Sequence, residues 1–258
     1  MQLWTMEHTA TLLPAVAVMI VITAVLRRTI GSKPYHIRMI PFQILACIIV
    51  LLEIGKQACS LHNGYNLYHL PFHLCSLFIF LLPLMSFYQG KHRDTVCTVT
   101  TAVTTATTLL TLIYPSLIYS AWDITSFGEN FLSFHTVVFH NIVIFEFFII
   151  LGLDLCTPQK PTHKTIPLFM LCFCIISATM AQLLKTNYNN FYSCNVAPLE
   201  SLRLSLQGTI GYIPTQCLYI LIVSVLDILF VSASFSLYRL LHRLFNSRST
   251  EKEMCQEH

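Results

Sequence analysis

Charge is what this sequence lacks. Of its 258 residues only 10% are Asp, Glu, Lys or Arg, whereas a soluble domain carries about 25%. Hydrophobic residues make up 55% of the chain, and the mean hydropathy is +0.64. That balance excludes a soluble globular domain, a disordered chain and a nucleic-acid binder with a basic face. Familiar catalytic signatures are missing too: there is no dinucleotide-binding glycine fingerprint, P-loop, nucleophile elbow or HExxH zinc motif. Cys255, near the C-terminus, lacks a prenylation box.

What the chain does have is long apolar runs. A helix needs about 20 largely apolar residues to cross the hydrocarbon core, because unpaired backbone groups are costly in lipid. Runs of that kind predict an all-α polytopic bundle of seven transmembrane helices, over about 9–27, 37–59, 70–87, 96–117, 131–152, 165–184 and 211–238. Only the connections 118–130 and 185–210 are long enough to hold structure of their own, and residues 1–258 read as one domain. The basic pair Arg27-Arg28 follows the first run instead of preceding it, which argues for a retained helix over a cleaved signal peptide. The fourth run, VTTAVTTATTLLTLIY, is rich in Thr, as expected of an interior helix whose hydroxyls bond back to its own backbone.

Twelve of the fifteen basic residues fall on one side of a seven-span reading. Arg27, Arg28, Lys33 and Arg38 lie between the first and second helices, and Lys91 and Arg93 follow the third. Lys160 and Lys164 follow the fifth, while Arg239, Arg243, Arg248 and Lys252 follow the last. By the positive-inside rule the N-terminus is outside and the C-terminus cytoplasmic. Cys47, Cys172 and Cys174 read as small apolar fillers. Cys59 and Cys194, near the outer face, are a candidate disulfide in an oxidising compartment.

Polar side chains inside spans mark function when they agree in depth. Glu53, Lys56 and Gln57 share one face at the outer end of the second helix. His69, His73 and Cys75 open the third, His135 and His140 lie in the outer half of the fifth, and Lys185-Thr186-Asn187-Tyr188 closes the sixth. On an ideal helix His73 and Cys75 differ by about 200°, so both reach one site only if Pro71 distorts the turn. The pair His135 and His140 is separated by about 140° and carries the same restriction. Glu146 and Asp227 lie deeper and read as hydrogen-bonded locks between helices.

The segment YHLPFHLCSLFIFLLPLM, residues 68–85, resembles the signature of the YwaF-like bacterial integral membrane proteins, which are related to eukaryotic transmembrane protein 164. The likeness continues through FLSFHTVVFHNIVI at 131–144 and TNY at 186–188. Usual bacterial members have His-Gly where this chain has His140-Asn141, and Gly where it has Lys185. The resemblance implies an acyltransferase that moves a fatty acyl chain between phospholipid and lysophospholipid through a thioester on Cys75, in a bacterial cell membrane. His140 is then the matching helix-five histidine.

The residues allow that chemistry. A thiol needs a neighbouring imidazole to become a nucleophile, so Cys75, His140 and His73 are the candidate catalytic group. Glu53, Lys56, Gln57, Asn187 and His135 are candidate supporting or oxyanion-binding residues, and His69 and Tyr188 candidate substrate contacts. No cofactor, metal or nucleic acid is expected, and the partners are lipids of the bilayer. Two alternatives stay open. One is a lipid hydrolase, with or without zinc held by these histidines and Glu53; the other is a seven-helix transporter or sensor.

Overall fold

A computed structural model describes residues 3–157 and 164–254, with side chains to residue 245. Lys160 and Cys255, which the charge and lipidation arguments used, lie outside the described residues. The chain is all-α: α1 (Met6–Ile30), α2 (Tyr35–Arg38), α3 (Ile40–His62), α4 (Phe78–Phe87), α5 (Arg93–Ile113) and α6 (Pro115–Ile118). There follow α7 (Ala121–Thr125), α8 (Phe131–Gly152), α9 (Thr165–Leu184), α10 (Ala197–Ile210) and α11 (Tyr212–Met254).

Among the described residues six helices are long and apolar enough to cross a membrane, the short α2 continuing into α3 for this purpose. The expected third helix, 70–87, is corrected. It is α-helical only from Phe78 to Phe87, after a 3-10 turn at Cys75–Leu77. Pro71 removes a donor and fixes its own φ, so the segment before Cys75 stays irregular. The fourth span runs over Arg93–Ile113 and stops short of the expected 117, because Pro115 cannot continue it and opens α6 instead. The last helix outruns its apolar stretch and continues to Met254. The segment 185–210, expected to connect spans, holds α10.

Contacts at the helix ends fix the relative direction of the helices. At one end Arg38 Nη1 donates to Leu153 O at 2.5 Å, Gln43 Nε2 to Ser86 O at 3.0 Å and Tyr238 Oη to Cys156 O at 2.7 Å. At the other, a ring nitrogen of His8 meets Tyr119 O at 2.9 Å, Gln57 Nε2 donates to His69 O at 2.9 Å and Gln216 Nε2 to Phe191 O at 2.9 Å. The segment 70–87 thus runs antiparallel to α3 and α5 and is partly irregular, beside the six helices long enough to span.

In the centre, α5 packs on α4, α8, α9 and α11. Its threonines from Thr98 to Thr111 are buried, and Thr104, Thr105 and Thr111 return their hydroxyls to the carbonyls one turn earlier at 2.7–2.8 Å. The sequence motif is therefore a packing device. Small side chains let neighbours approach, and the back-bonds hide the hydroxyls of those three. Gly55 does the same between α3 and α8, where an added Cβ would meet Phe131 Cζ at 2.7 Å.

Candidate functional site

The irregular stretch 66–77 needs partners for its backbone, since unsatisfied groups within a membrane bundle are expensive. Other elements supply them. Gln57 of α3 donates to His69 O, Ser177 of α9 donates to Phe72 O at 2.7 Å, and Tyr188 Oη donates to Leu67 O. Ser177 lies seven residues before the end of α9, so Phe72 is held about 10 Å into the bundle. Within the stretch, Asn66 Oδ1 accepts from Tyr68 N–H, and Ser76 and Leu77 N–H close 3-10 bonds onto His73 and Leu74 carbonyls. The chain dips inward and turns over at Cys75.

Above this dip lies a cavity of about 540 Å³, within the range of small-molecule sites. Its lining contains Cys75, His140, His73, His69, His135, Glu53, Lys56 and Asn187. Because residues 73–75 are not α-helical, His73 and Cys75 both reach it, which an ideal helix would forbid. Gln57 and Tyr188 do not line the cavity. Gln57 spends both amide hydrogens on Glu53 Oε1 (2.7 Å) and His69 O, and accepts from Tyr65 Oη at 2.8 Å. Tyr188 is fully buried beneath Phe72 and His73. Both side chains are committed to holding the loop, which leaves no donor for an oxyanion on Gln57 and no free hydroxyl for a substrate on Tyr188.

The histidines differ in what they leave free. His140 Nδ1 lies 2.7 Å from Thr136 O. A carbonyl only accepts, so Nδ1 carries the hydrogen and Nε2 keeps its lone pair. His73 is engaged on both sides: Nε2 faces Tyr68 O at 3.3 Å, and Nδ1 accepts from Asn189 N–H at 3.4 Å. Its ring also lies against Tyr68, tilted by 58° with centroids 4.5 Å apart. His69 Nδ1 meets Ser60 Oγ at 2.8 Å.

Glu53 gathers the remaining polar groups. Its Oε1 takes Lys56 Nζ at 2.8 Å and Gln57, while Oε2 lies 3.5 Å from His135 Nε2. Lys56 keeps further N–H donors beside the cavity. Asn187 turns inward on its own loop, accepting from the N–H groups of Tyr192 and Ser193 and donating to Asn195 at 3.2 Å. Among the described residues no three His, Cys, Asp or Glu side chains are grouped so as to hold a metal ion. Cys59 and Cys194 are both free thiols.

A family model described as the TMEM164 family matches residues 3–237, nearly the whole chain. The chain belongs to that family. No curated protein and no solved structure matches it.

Within this TMEM164-family bundle the sequence reading missed Asn189 as a cavity residue and read Asp227, which also lines the cavity, as a lock between helices. Asn189 Nδ2 donates to Asp227 Oδ2 at 2.5 Å, so Asp227 turns toward the loop after α9. Glu146 is 0% exposed, and among the described residues neither of its oxygens has a partner. The expected lock between Glu146 and Asp227 is therefore replaced by an Asn189–Asp227 contact. Two signals were available. TNY continues as Asn189-Asn190, both with positive φ (48° and 61°), a conformation Asn tolerates well. Asp227 is also the sole acidic residue between 211 and 238. Lys185 ends α9 in the left-handed region, φ 49° and ψ 40°, which explains why a relative would place Gly there.

Proposed function

We propose that this chain is a membrane-embedded transacylase, moving a fatty acyl chain from a phospholipid to a lysophospholipid through a thioester on Cys75. The observation that carries this reading is that Cys75 and His140 face one cavity, and that Thr136 O holds the His140 ring with Nε2 free to accept a proton. In the first half-reaction Cys75 Sγ attacks the ester carbonyl while His140 Nε2 takes the thiol proton. The C–O bond then breaks, and the departing lysolipid oxygen receives that proton. In the second half-reaction the hydroxyl of another lysolipid gives its proton to His140 and attacks the thioester. The C–S bond breaks and the thiol recovers its proton.

Lys56 is the group best placed to meet the developing oxyanion, because its ammonium faces the cavity with donors beyond the one spent on Glu53. His73, with both nitrogens engaged, shapes the loop around Cys75 and does not move the proton. The family membership supports the reading through the resemblance of the His-Leu-Cys segment to an acyltransferase. Seven passages, with the N-terminus outside and the C-terminus cytoplasmic, fit the alternation of helix ends and the gathering of basic residues at one of them. The cavity then opens in the outer half of the bundle. Cysteines introduced at 121–129 are expected to react with a membrane-impermeant maleimide from outside, and those at 249–254 are not; the reverse result rejects the orientation.

The deciding experiment measures transfer of a labelled acyl chain between phospholipid and lysolipid by purified protein in lipid nanodiscs, with mass spectrometry of the thioester trapped at Cys75. Transfer that survives in Cys75→Ala rejects the covalent route. Release of free fatty acid in place of transfer assigns the protein to the hydrolases.

A further inference from the structure

A second pocket lies at the opposite end of the bundle, about 210 Å³ in volume, between α2, the first turns of α5 and the loop after α8. His140 and Gly152 are twelve residues apart on α8, so the two sites are separated by about 18 Å along that helix. Arg38 and Arg93 line the pocket from different elements. Arg38 uses one nitrogen, Nη1, on Leu153 O and Asp154 O, and among the described residues its buried Nε has no acceptor. The Arg93 guanidinium lies 4.0 Å over the Tyr35 ring. Neither arginine has a carboxylate within ion-pair distance among the described residues. Asp154 turns to His242 at 2.7 Å, and Asp94 is exposed at the rim.

We propose that this pocket binds a phosphate group, held between Arg38 and Arg93. Two guanidiniums arriving from different directions suit a tetrahedral oxyanion with several acceptors, which a single planar carboxylate would not satisfy. The N-terminus of α5 opens onto the pocket, and His92, its N-cap residue, provides no side-chain cap, so the helix adds its positive end. The Thr157 hydroxyl supplies a further donor at the edge. The surrounding end of the bundle carries Arg27, Arg28, Lys33, Lys91 and Lys164, which is where lipid headgroups lie in the proposed topology. The phosphate therefore comes either from a headgroup of that leaflet or from a free phosphate ion. The two nearby carboxylates keep the affinity modest.

The test uses the full chain in phosphatidylcholine nanodiscs. Inorganic phosphate is titrated at constant ionic strength against a chloride control, and thermal unfolding is followed as phosphatidylglycerol is added to the discs. Saturable phosphate binding, weakened at least about tenfold in R93Q through loss of a charge-assisted pair, supports the site. D94N, which removes a nearby negative charge, is expected to tighten binding about threefold. Stabilisation by phosphatidylglycerol that inorganic phosphate reverses, and that R93Q lacks, identifies a headgroup as the source; response to phosphate alone identifies the free ion. Arg38 is left intact because it also holds the end of α8. Should R93Q fail to fold, D94N decides, and binding unchanged in D94N then overturns the proposal. So does a lack of saturable response to both probes, or equal binding by folded R93Q and wild type.

Discussion

The stretch 66–77 and helix α5 are both polar for a membrane bundle, yet they treat their polar groups in opposite ways. In α5 the hydroxyls of Thr104, Thr105 and Thr111 return to their own helix. Those three bonds close within one helix, Thr100 donates to Leu81 O of α4 at 3.4 Å, and the row serves packing. In 66–77 the satisfying groups come from α3, α9 and the loop after α9. Such a segment persists only while the rest of the fold holds it, which is the usual condition of a functional site. Polarity alone therefore does not mark the site. The mark is polarity that needs distant partners.

The sharpest break in this comparison is at Cys75. Cys75→Ala is expected to abolish acyl transfer while the helix content stays unchanged, since the lost side chain is small. Cys75→Ser is expected to retain little activity, because a hydroxyl ionises far less readily than a thiol at neutral pH. By contrast, Thr104→Val in α5 is expected to leave transfer within about twofold of wild type, because its hydroxyl serves only its own backbone. Equal losses at the two positions, measured by labelled acyl transfer, would erase the distinction.

Next in size is the pair of histidines. His140→Ala is expected to lower the rate by about 10²-fold or more, as for loss of a general base. His73→Ala acts by loosening the dip, so its loss of rate should come with increased proteolysis or hydrogen exchange at 66–77. His140→Ala should show neither. If His73→Ala slows the reaction with the loop unchanged, the proton-transfer role belongs to His73.

The spans were legible because hydropathy reports burial in lipid directly, and the depth of the polar residues was legible by counting along helices. Rotation and local breaks were not. HLPFHLCSLFIFLLPLM is apolar enough to read as one helix, and only Pro71 warned that it is not. Gln57, Asn187 and Tyr188 lie at the same end of the bundle as the cavity, but what they bond to depends on loops that no periodicity describes. Glu146 and Asp227 looked alike, each a single carboxyl in an apolar run. Three-dimensional packing separates them, giving Asp227 the cavity and Asn189 while Glu146 has no partner among the described residues.

That contrast makes Glu146 a site for gain. Glu146→Met keeps similar volume and removes an unpartnered buried polar group, so it is expected to stabilise the fold by about 1–3 kcal/mol. The check is the unfolding temperature in nanodiscs, with acyl transfer unchanged. A fall in stability would mean that the carboxyl has an interaction that its surroundings do not reveal. Asp227→Asn, which keeps the shape of the Asn189 contact, should leave stability closer to wild type.

The smallest expected effect tests the backbone at the edge of the site. Lys185 holds φ 49° and ψ 40° at the end of α9, where an L-residue pays for the close approach of Cβ to its own carbonyl and glycine does not. Its side chain is exposed, so little packing is lost on substitution. Lys185→Gly removes that penalty, about 1–2 kcal/mol, but adds freedom to the unfolded chain, about 0.4–1 kcal/mol. The two terms oppose, and the first is larger. A net gain of about 0.5–1 kcal/mol is expected, with acyl transfer unchanged because the cavity lining begins only at Asn187 on this segment. Lys185→Ala keeps the Cβ and should give no gain, so comparing the two separates backbone strain from the loss of the lysine charge. If both variants stabilise equally, the charge and not the left-handed conformation is what costs stability here.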